Sequence, residues 1–172
     1  VLSPGTVIIS TVAESEDIRK TVHTAAVPTD SLLCYIPFTN DDQAPLGGSV
    51  YAQVFNKIGS QAPDVTDCAY FAKAFEAVQQ LVREGKLLAG HDISAGGLIT
   101  AALEMCFPNR EGGFRSVLPL ANTALLFCEK PGVLVQVTRE NDPTAWLQQE
   151  FGIACQVIGE WIPERRLELH IA

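Results

Sequence analysis

Apolar residues recur every three or four positions in two long segments of the chain, and this spacing predicts two amphipathic helices. The first runs from about Ala69 to Glu84, and Gly85 is predicted to end it. Its predicted core-facing residues are Phe71, Ala74, Phe75, Val78, Leu81 and Val82. The second runs from about Ala95 to Phe107 and buries a stripe that consists of Leu98, Ala101, Ala102 and Met105.

Two shorter helices are indicated by their end signals. One covers 50–58, where Ser49 can cap the first turn and Gly59 can terminate the helix. The other starts with Asp142 as its N-cap and Pro143 in the first turn, runs through Gln149 and is closed by Gly152.

Runs of β-branched and apolar residues predict strands between the helices. They are Thr6–Val12, Leu32–Phe38, Leu87–Ala89, Gly132–Val137, Cys155–Ile158 and Leu167–Ile171. The first third of the chain is therefore predicted to be mostly β. Because helices and strands alternate after that, we expect an α/β sandwich with mixed strands and helices on both faces.

The composition narrows the class of protein. A chain of 172 residues with 47% hydrophobic content can bury one sizeable core, so we expect a single domain over 1–172. The net charge of −8 and the lack of Lys/Arg runs argue against nucleic-acid or membrane partners, which need a basic surface. Any bound phosphate would be held by a metal ion and by backbone groups.

Five scattered cysteines form neither a Cys-x-x-Cys pair nor a zinc pattern, and they indicate small buried residues in a reducing compartment. They are Cys34, Cys68, Cys106, Cys128 and Cys155. The sequence contains no signal peptide and no long apolar run, which predicts a cytoplasmic location. Because the chain opens on Val1 and enters an apolar run at once, we expect a fragment of a longer protein.

The segment 90–98, Gly-His-Asp-Ile-Ser-Ala-Gly-Gly-Leu, carries the clearest candidate chemistry, and we call it the His-Asp corner. It connects a predicted strand to a predicted helix, where backbone N–H groups can hold an anion. Asp92 and Ser94 can cap these groups or reach a bound cation, and Gly96 and Gly97 would allow a ligand to approach closely. The residues alone leave a structural cap and a Mg-nucleotide site equally open. The corner is neither a Walker loop nor a dinucleotide fingerprint.

A similar segment, 46–49, precedes the first short helix, and we call it the Gly-Gly-Ser corner. Gly47, Gly48 and Ser49 form either a second anion nest or a capped turn. We interpret His91, at the end of a strand, as a structural group and assign it no catalytic role.

Several segments together carry a family resemblance. They are Leu46 to Gly59, Ala62-Pro63-Asp64-Val65, His91 to Leu98, Leu103-Glu104-Met105 and Glu129-Lys130-Pro131-Gly132. In this order they resemble the phosphoribosylformylglycinamidine synthase family of glutamine-dependent ligases. The resemblance implies the C-terminal domain of an aminoimidazole-ribonucleotide-synthetase-like module, the second of two, with a three-layer α/β/α fold and a mixed sheet.

The resemblance also implies an ATP-dependent reaction that converts formylglycinamide ribonucleotide to its amidine in purine biosynthesis, with Mg²⁺ and ATP or ADP as cofactors. Asp92 would bind the metal, and Ser94 would contact a nucleotide phosphate. Ala95 stands where many relatives carry an Asp, which would leave Asp92 as the corner's only acid. The remaining metal ligands would then come from a neighbouring domain.

The implied partners are an N-terminal neighbour and a glutaminase domain, and the isolated fragment would be inactive and able to self-associate. No residue is assigned a catalytic role. Two alternatives stay open. The first is a non-catalytic scaffold domain of the same fold. The second is a domain of a related enzyme such as aminoimidazole ribonucleotide synthetase or selenophosphate synthetase.

Overall fold

One mixed six-stranded sheet organises the protein. A computed structural model describes residues 8–15, 17–117 and 123–170. The strands are β1 Leu32–Pro37, β2 Ala89–Asp92, β3 Gly113–Ser116, β4 Gly132–Val137, β5 Gln156–Ile162 and β6 Leu167–Glu168. They lie in the order β2-β4-β1-β5-β3-β6. Every neighbouring pair is antiparallel except β3 and β6, which run parallel.

Helices cover both faces of this sheet. They are α1 Val50–Val54, α2 Cys68–Arg83, α3 Gly97–Cys106, α4 Ala124–Phe127 and α5 Thr144–Trp146, which continues as a π-helical turn over Leu147–Phe151. Two 3₁₀ turns cover Ile18–Lys20 and Arg139–Asn141. The result is the expected three-layer α/β/α arrangement.

Two hydrophobic cores separate the layers. The first lies between the sheet and α2, and it includes Cys34, Ile36, Leu81, Val137 and Leu147. The second lies between the opposite face and α3, and it includes Leu33, Ala89, Met105, Phe114 and Leu134. Successive residues of a strand point to opposite faces, so the apolar runs of β1 and β4 serve both cores at once.

Several sequence predictions agree closely with the structure. Strand β4 has the predicted bounds, β1 ends one residue early, and α2 is displaced by one residue from the predicted helix. Gly85 follows α2 with a φ of +66°, as a helix-ending glycine does. Helix α3 is shorter than the predicted 95–107 because Gly96 adopts a left-handed conformation and delays its start.

The prediction of a mostly β first third was wrong. Residues 8–12 of the predicted strand Thr6–Val12 are irregular and exposed, and Thr6 and Val7 lie outside the described residues. Ile8 and Val12 are 86% and 99% exposed. The β-branched composition favours a strand, but a strand needs a neighbour to pair with, and the described residues supply none here.

Other helices and strands begin or end at residues that differ from the prediction, because tertiary contacts determine these boundaries. Strand β2 lies at 89–92 instead of 87–89, since its pairing with β4 extends to Asp92. Helix α1 ends at Val54 because Asn56, with a φ of +53°, turns the chain. Phe75 is 52% exposed, so the core face of α2 is narrower than predicted. Strand β3 and helix α4 were not predicted at all.

The five cysteines are free thiols, but they are not uniformly buried as expected. Cys34 and Cys128 are buried, whereas Cys68 is exposed in the first turn of α2. Within the described ranges, no helix is long and apolar enough to cross a membrane.

Candidate functional site

The His-Asp corner lies at the edge of the sheet. Asp92 is the last residue of β2, the edge strand, and pairs with Val133 of β4. The next residue, Ile93, donates its N–H to the carbonyl of Gly132 at 2.9 Å, which anchors the chain as it leaves the sheet. A tight turn then follows, in which the N–H of Gly97 donates to the carbonyl of Ser94 at 3.0 Å. The corner is therefore held by its backbone.

Gly96 is the N-cap residue of α3, and as a glycine it has no side chain that could cap the helix. The first N–H groups of a helix have no partner within the helix and need one from outside. Asp92 and Ser94 do not supply it: the Asp92 side chain is 74% exposed, and Ser94 is exposed. The sequence left two interpretations open. The structure does not adopt the first of them, a structural cap formed by the side chains of Asp92 and Ser94.

The Gly-Gly-Ser corner is closed by its own contacts. Gly47 donates to the carbonyl of Gln61 at 2.7 Å, and Gly48 donates to that of Ile58 at 2.7 Å. Ser49 is buried, accepts a hydrogen bond from the N–H of Ala52 at 3.2 Å, and donates to the Leu46 carbonyl at 2.6 Å. These bonds make the corner a capped turn with little unsatisfied backbone.

Glu129, a residue with no predicted role, brings the two corners together. Its Oε1 atom accepts hydrogen bonds from the N–H of Val50, at the start of α1, and from the N–H of Gly96, each at 2.8 Å. The motif Glu129-Lys130-Pro131-Gly132 contributed to the resemblance, but it lies far along the chain from both corners. No local spacing could have indicated this contact.

Packing, and not ligand access, explains Gly97. A Cβ atom at this position would lie 2.6 Å from the carbonyl carbon of Phe127 and 2.8 Å from the carbonyl oxygen of Leu126. The backbone of α4 therefore approaches the corner closely. Gly96, with a φ of +90°, supplies the left-handed conformation that starts α3. Both glycines are required by the fold itself.

Asp92 is the only acidic residue within segment 90–98, and Glu129 reaches the same turn from outside by accepting the Gly96 N–H. Oxygen ligands such as carboxylates suit Mg²⁺. However, no group of three or more His, Cys, Asp or Glu side chains in the described ranges is placed to hold a metal ion. The described residues thus supply no complete metal site, and the metal role of Asp92 stays a prediction.

Two other charged or titratable residues near the corners, His91 and Lys130, each contact partners within the protein. His91 is 14% exposed at its side chain and lies 3.3 Å from Glu104 and 2.7 Å from the Asp92 carbonyl, which agrees with a structural role. Lys130 is buried, and its ammonium group donates to the carbonyl and carboxylate of Asp41 and to the carbonyl of Gln43. This lysine is thus not free to bind a phosphate.

Comparison with known families agrees with this three-layer domain. Residues 39–172 match the family described as AIR synthase related protein, C-terminal domain. The chain belongs to this family.

Its relatives are much longer proteins. The chain is 33% identical over 190 residues to a probable phosphoribosylformylglycinamidine synthase of Caenorhabditis elegans, covering 99% of this chain and 14% of that protein. It is also 33% identical over 179 residues to the probable chloroplastic/mitochondrial phosphoribosylformylglycinamidine synthase of Arabidopsis thaliana, covering 99% of this chain and 12% of the relative.

Solved structures with the same fold include PurL of Thermotoga maritima. Its complex with FGAR superposes with a TM-score of 0.62 at 18% identity, over 88% of this chain and 27% of that one. Its complex with ADP superposes with a TM-score of 0.63 at 16% identity, over 89% of this chain and 25% of that one. At this level of identity, the likeness supports the fold alone.

Proposed function

We propose that this chain is the nucleotide- and magnesium-binding domain of an ATP-dependent, glutamine-using ligase that converts formylglycinamide ribonucleotide to its amidine in purine biosynthesis. Two relatives at 33% identity carry the name of this synthase. The structurally similar PurL has been solved with ADP and with FGAR. Because the chain spans only about an eighth of each relative, we expect it to act as one domain beside others.

The exposure of Asp92 and Ser94 beside the N-terminus of α3 is the observation that carries this proposal. We assign Asp92 as a metal ligand because its carboxylate is exposed at the end of an edge strand and caps nothing. We assign the Ser94 hydroxyl as a phosphate contact because it is exposed beside the start of α3, where the helix dipole favours an anion. Gly96 and Gly97 shape this turn.

The metal would bridge phosphate oxygens and neutralise their charge. This chain offers its exposed Asp92 carboxylate and too few further ligands to hold the ion, so a neighbouring domain would complete the set. The net charge of −8 makes a metal necessary as well, because a nucleotide phosphate would otherwise be repelled. We keep the earlier assignment of no catalytic residue to this chain.

For Gly47, Gly48 and Ser49, the nucleotide role stays a prediction. The hydrogen bonds that these residues make within the chain favour a capped turn, and a ligand would have to displace one of them. The predicted N-terminal and glutaminase neighbours, self-association and cytoplasmic location likewise stay predictions. The Arabidopsis relative is named as chloroplastic/mitochondrial, so imaging of a tagged protein would decide the location.

The main competing function is a scaffold domain that keeps the fold without binding nucleotide. The close packing at Gly97 favours it, since that glycine needs no ligand to explain it. A related ATP-dependent enzyme, such as aminoimidazole ribonucleotide synthetase or selenophosphate synthetase, is a second alternative. Both relatives named above favour the amidine-forming ligase over these enzymes.

The test is calorimetric titration of Mg-ADP and Mg-ATP into the natural polypeptide that carries this chain, with Asp92→Ala beside the parent. We expect magnesium-dependent binding in the parent and its loss in D92A, with stability changed by no more than about 0.5 kcal/mol because Asp92 is exposed and caps no helix. Asp64→Ala is the matched control, since Asp64 is an exposed aspartate in a different loop.

Each outcome assigns a function. Binding that D92A loses and D64A keeps supports the ligase domain. Equal binding in D92A and the parent would remove Asp92 from the site. Absence of binding in the parent, or loss of stability in D92A without loss of binding, would favour the scaffold.

A further inference from the structure

Three consecutive residues, 128–130, hold the loop that leads into the Gly-Gly-Ser corner. The Cys128 thiol donates to the Pro45 carbonyl at 3.2 Å. The ammonium group of Lys130 donates to the Asp41 carbonyl at 2.6 Å, to its carboxylate at 2.7 Å and to the Gln43 carbonyl at 2.9 Å. Both side chains are largely removed from water, where such bonds are costly to break. We call residues 128–130 the clasp.

Glu129, the middle residue of the clasp, connects this loop to the other corner. Its Oε1 atom accepts both the Val50 and the Gly96 N–H groups at 2.8 Å, so one oxygen joins the starts of α1 and α3. A carboxylate beside the N-terminus of a helix is also favoured by the helix dipole. Two segments 46 residues apart, at 50 and 96, are thereby fixed to a single atom.

The residue before the clasp strengthens the same connection. The Phe127 ring stacks on Tyr51 of α1 with ring centroids 4.6 Å apart. On its other side, the Phe127 backbone fills the space left by the missing side chain of Gly97. Residues 127–130 thus contact α1, the 41–45 loop and the turn that precedes α3.

We propose that Glu129 is a positioning residue for the nucleotide site, and this inference rests on the function proposed above. By accepting the Gly96 N–H, its carboxylate fixes the Ser94–Gly97 turn and thus the direction in which Asp92 and Ser94 face. By accepting the Val50 N–H, it fixes this turn relative to the Gly-Gly-Ser corner. Glu129 acts through the backbone of the turn and does not itself need to contact the nucleotide.

The test compares Glu129→Ala and Glu129→Gln with the parent polypeptide, by calorimetry with Mg-ADP and by amide hydrogen exchange. Alanine removes both hydrogen bonds, and we expect the Kd for Mg-ADP to rise about tenfold with unchanged stoichiometry. The glutamine side-chain oxygen can still accept both N–H groups, so we expect E129Q to stay within about threefold of the parent. Hydrogen exchange at Val50 and Gly96 should accelerate in E129A alone.

The matched control is Asp142→Ala. The Asp142 carboxylate also accepts a helix N–H, that of Thr144 at 2.9 Å, but α5 packs on the opposite face of the sheet. D142A should lower stability with little change in the Kd. A merely structural Glu129 would behave in the same way: the fraction of binding-competent protein would fall, and the Kd of the folded fraction would not change.

Five outcomes would overturn the proposal. They are an unchanged Kd in E129A, a Kd that rises equally in D142A, an E129Q variant as weak as E129A, tighter binding in E129A, and unprotected Val50 and Gly96 amides in the parent. If the parent binds no Mg-ADP, the proposed function fails and the positioning role fails with it. Hydrogen exchange then still reports whether the clasp itself forms, so the two failures are distinguishable.

Discussion

The two glycine corners resemble each other in sequence and differ in structure. Each places adjacent glycines and a serine at the start of a helix. In the Gly-Gly-Ser corner, the serine is 1% exposed and caps α1, and both glycine N–H groups donate within the chain. In the His-Asp corner, the two glycine N–H groups donate to Glu129 and to the Ser94 carbonyl, but Ser94 is exposed and does not cap α3. The serine of the first corner is therefore used by the fold, whereas the serine of the second faces solvent.

This difference teaches that a glycine-rich turn indicates a ligand site only after its N–H groups have been accounted for. The serine position decides the matter here. Ser49 lies directly before its helix, where its hydroxyl reaches the third residue on. Ser94 lies three residues before α3, and its backbone carbonyl, not its side chain, meets the turn at Gly97. Its hydroxyl therefore remains exposed.

The largest expected effect separates the glycines of the two corners. Gly48 and Gly97 both have a φ of +74°, but no atom lies within 4 Å of a Cβ at Gly48, whereas a Cβ at Gly97 would overlap the backbone of α4. We expect Gly97→Ala to cost about 3 kcal/mol and Gly48→Ala about 1 kcal/mol of the free energy of unfolding. Chemical denaturation of both variants measures the two costs.

The φ angle is the same at the two glycines, so the difference between the two costs reports the packing around them. Equal costs in the two variants would mean that α4 does not approach the His-Asp corner as described. A G97A variant that unfolds outright would still agree in direction, and Gly48→Ala would then serve as the folded reference.

The second largest expected effect distinguishes the serines of the two corners by their contribution to stability. Ser49→Ala removes a cap and leaves the Leu46 carbonyl with only the longer 3.3 Å bond from the backbone N–H of residue 49, so we expect a loss of about 1–2 kcal/mol in unfolding free energy. Ser94→Ala should change stability by less than about 0.5 kcal/mol, because the side chain is exposed.

The two serine substitutions should rank in the opposite order when their effects on nucleotide binding are compared. We expect S94A to raise the Kd for Mg-ADP about tenfold, as the loss of one phosphate contact does, and S49A to leave it nearly unchanged. Calorimetry alongside thermal unfolding measures both quantities. If S49A weakens binding more than S94A, the corners have been assigned the wrong way round.

Much of the fold could be predicted because strong local patterns determine it. The period of α2 and the capping of α1 by Ser49 are encoded within a few residues of each element. The strand prediction was wrong for residues 8–12 because this segment has no partner strand in the described residues. Strand β3 was missed since it is four residues long and begins at a glycine.

The candidate site was only partly predictable, for a different reason. Asp92 and Ser94 could be found because they precede a helix signal directly. Glu129 could not, since its partners Val50 and Gly96 are 79 and 33 residues away and both offer only backbone N–H groups. Backbone groups carry no sequence signal, so a side chain that binds them is visible only once the chain has folded.

The smallest expected effect concerns the stability of the protein at acidic pH. It arises in the loop before the Gly-Gly-Ser corner and not in the His-Asp corner. The hydrogen bond from Lys130 lowers the pKa of the Asp41 carboxyl group below its ordinary range. A depressed folded-state pKa contributes stability that is present above the unfolded-state pKa and is lost as the pH falls through the folded-state value. We therefore expect the Lys130 contact to weaken only below about pH 4.

Asp41→Asn should be less stable than the parent at pH 7, and this difference should shrink as the pH falls below about 4, so that the D41N stability curve is the flatter of the two. The effect should be modest, because the Asp41 side chain is 37% exposed and solvent screens the pair. Denaturation curves from pH 2.5 to 7 would measure it. Asp42→Asn is the control, since Asp42 is exposed and has no ion-pair partner within the described ranges. If D41N retains the acid slope of the parent, the clasp holds this loop through the Asp41 and Gln43 carbonyls and not through charge.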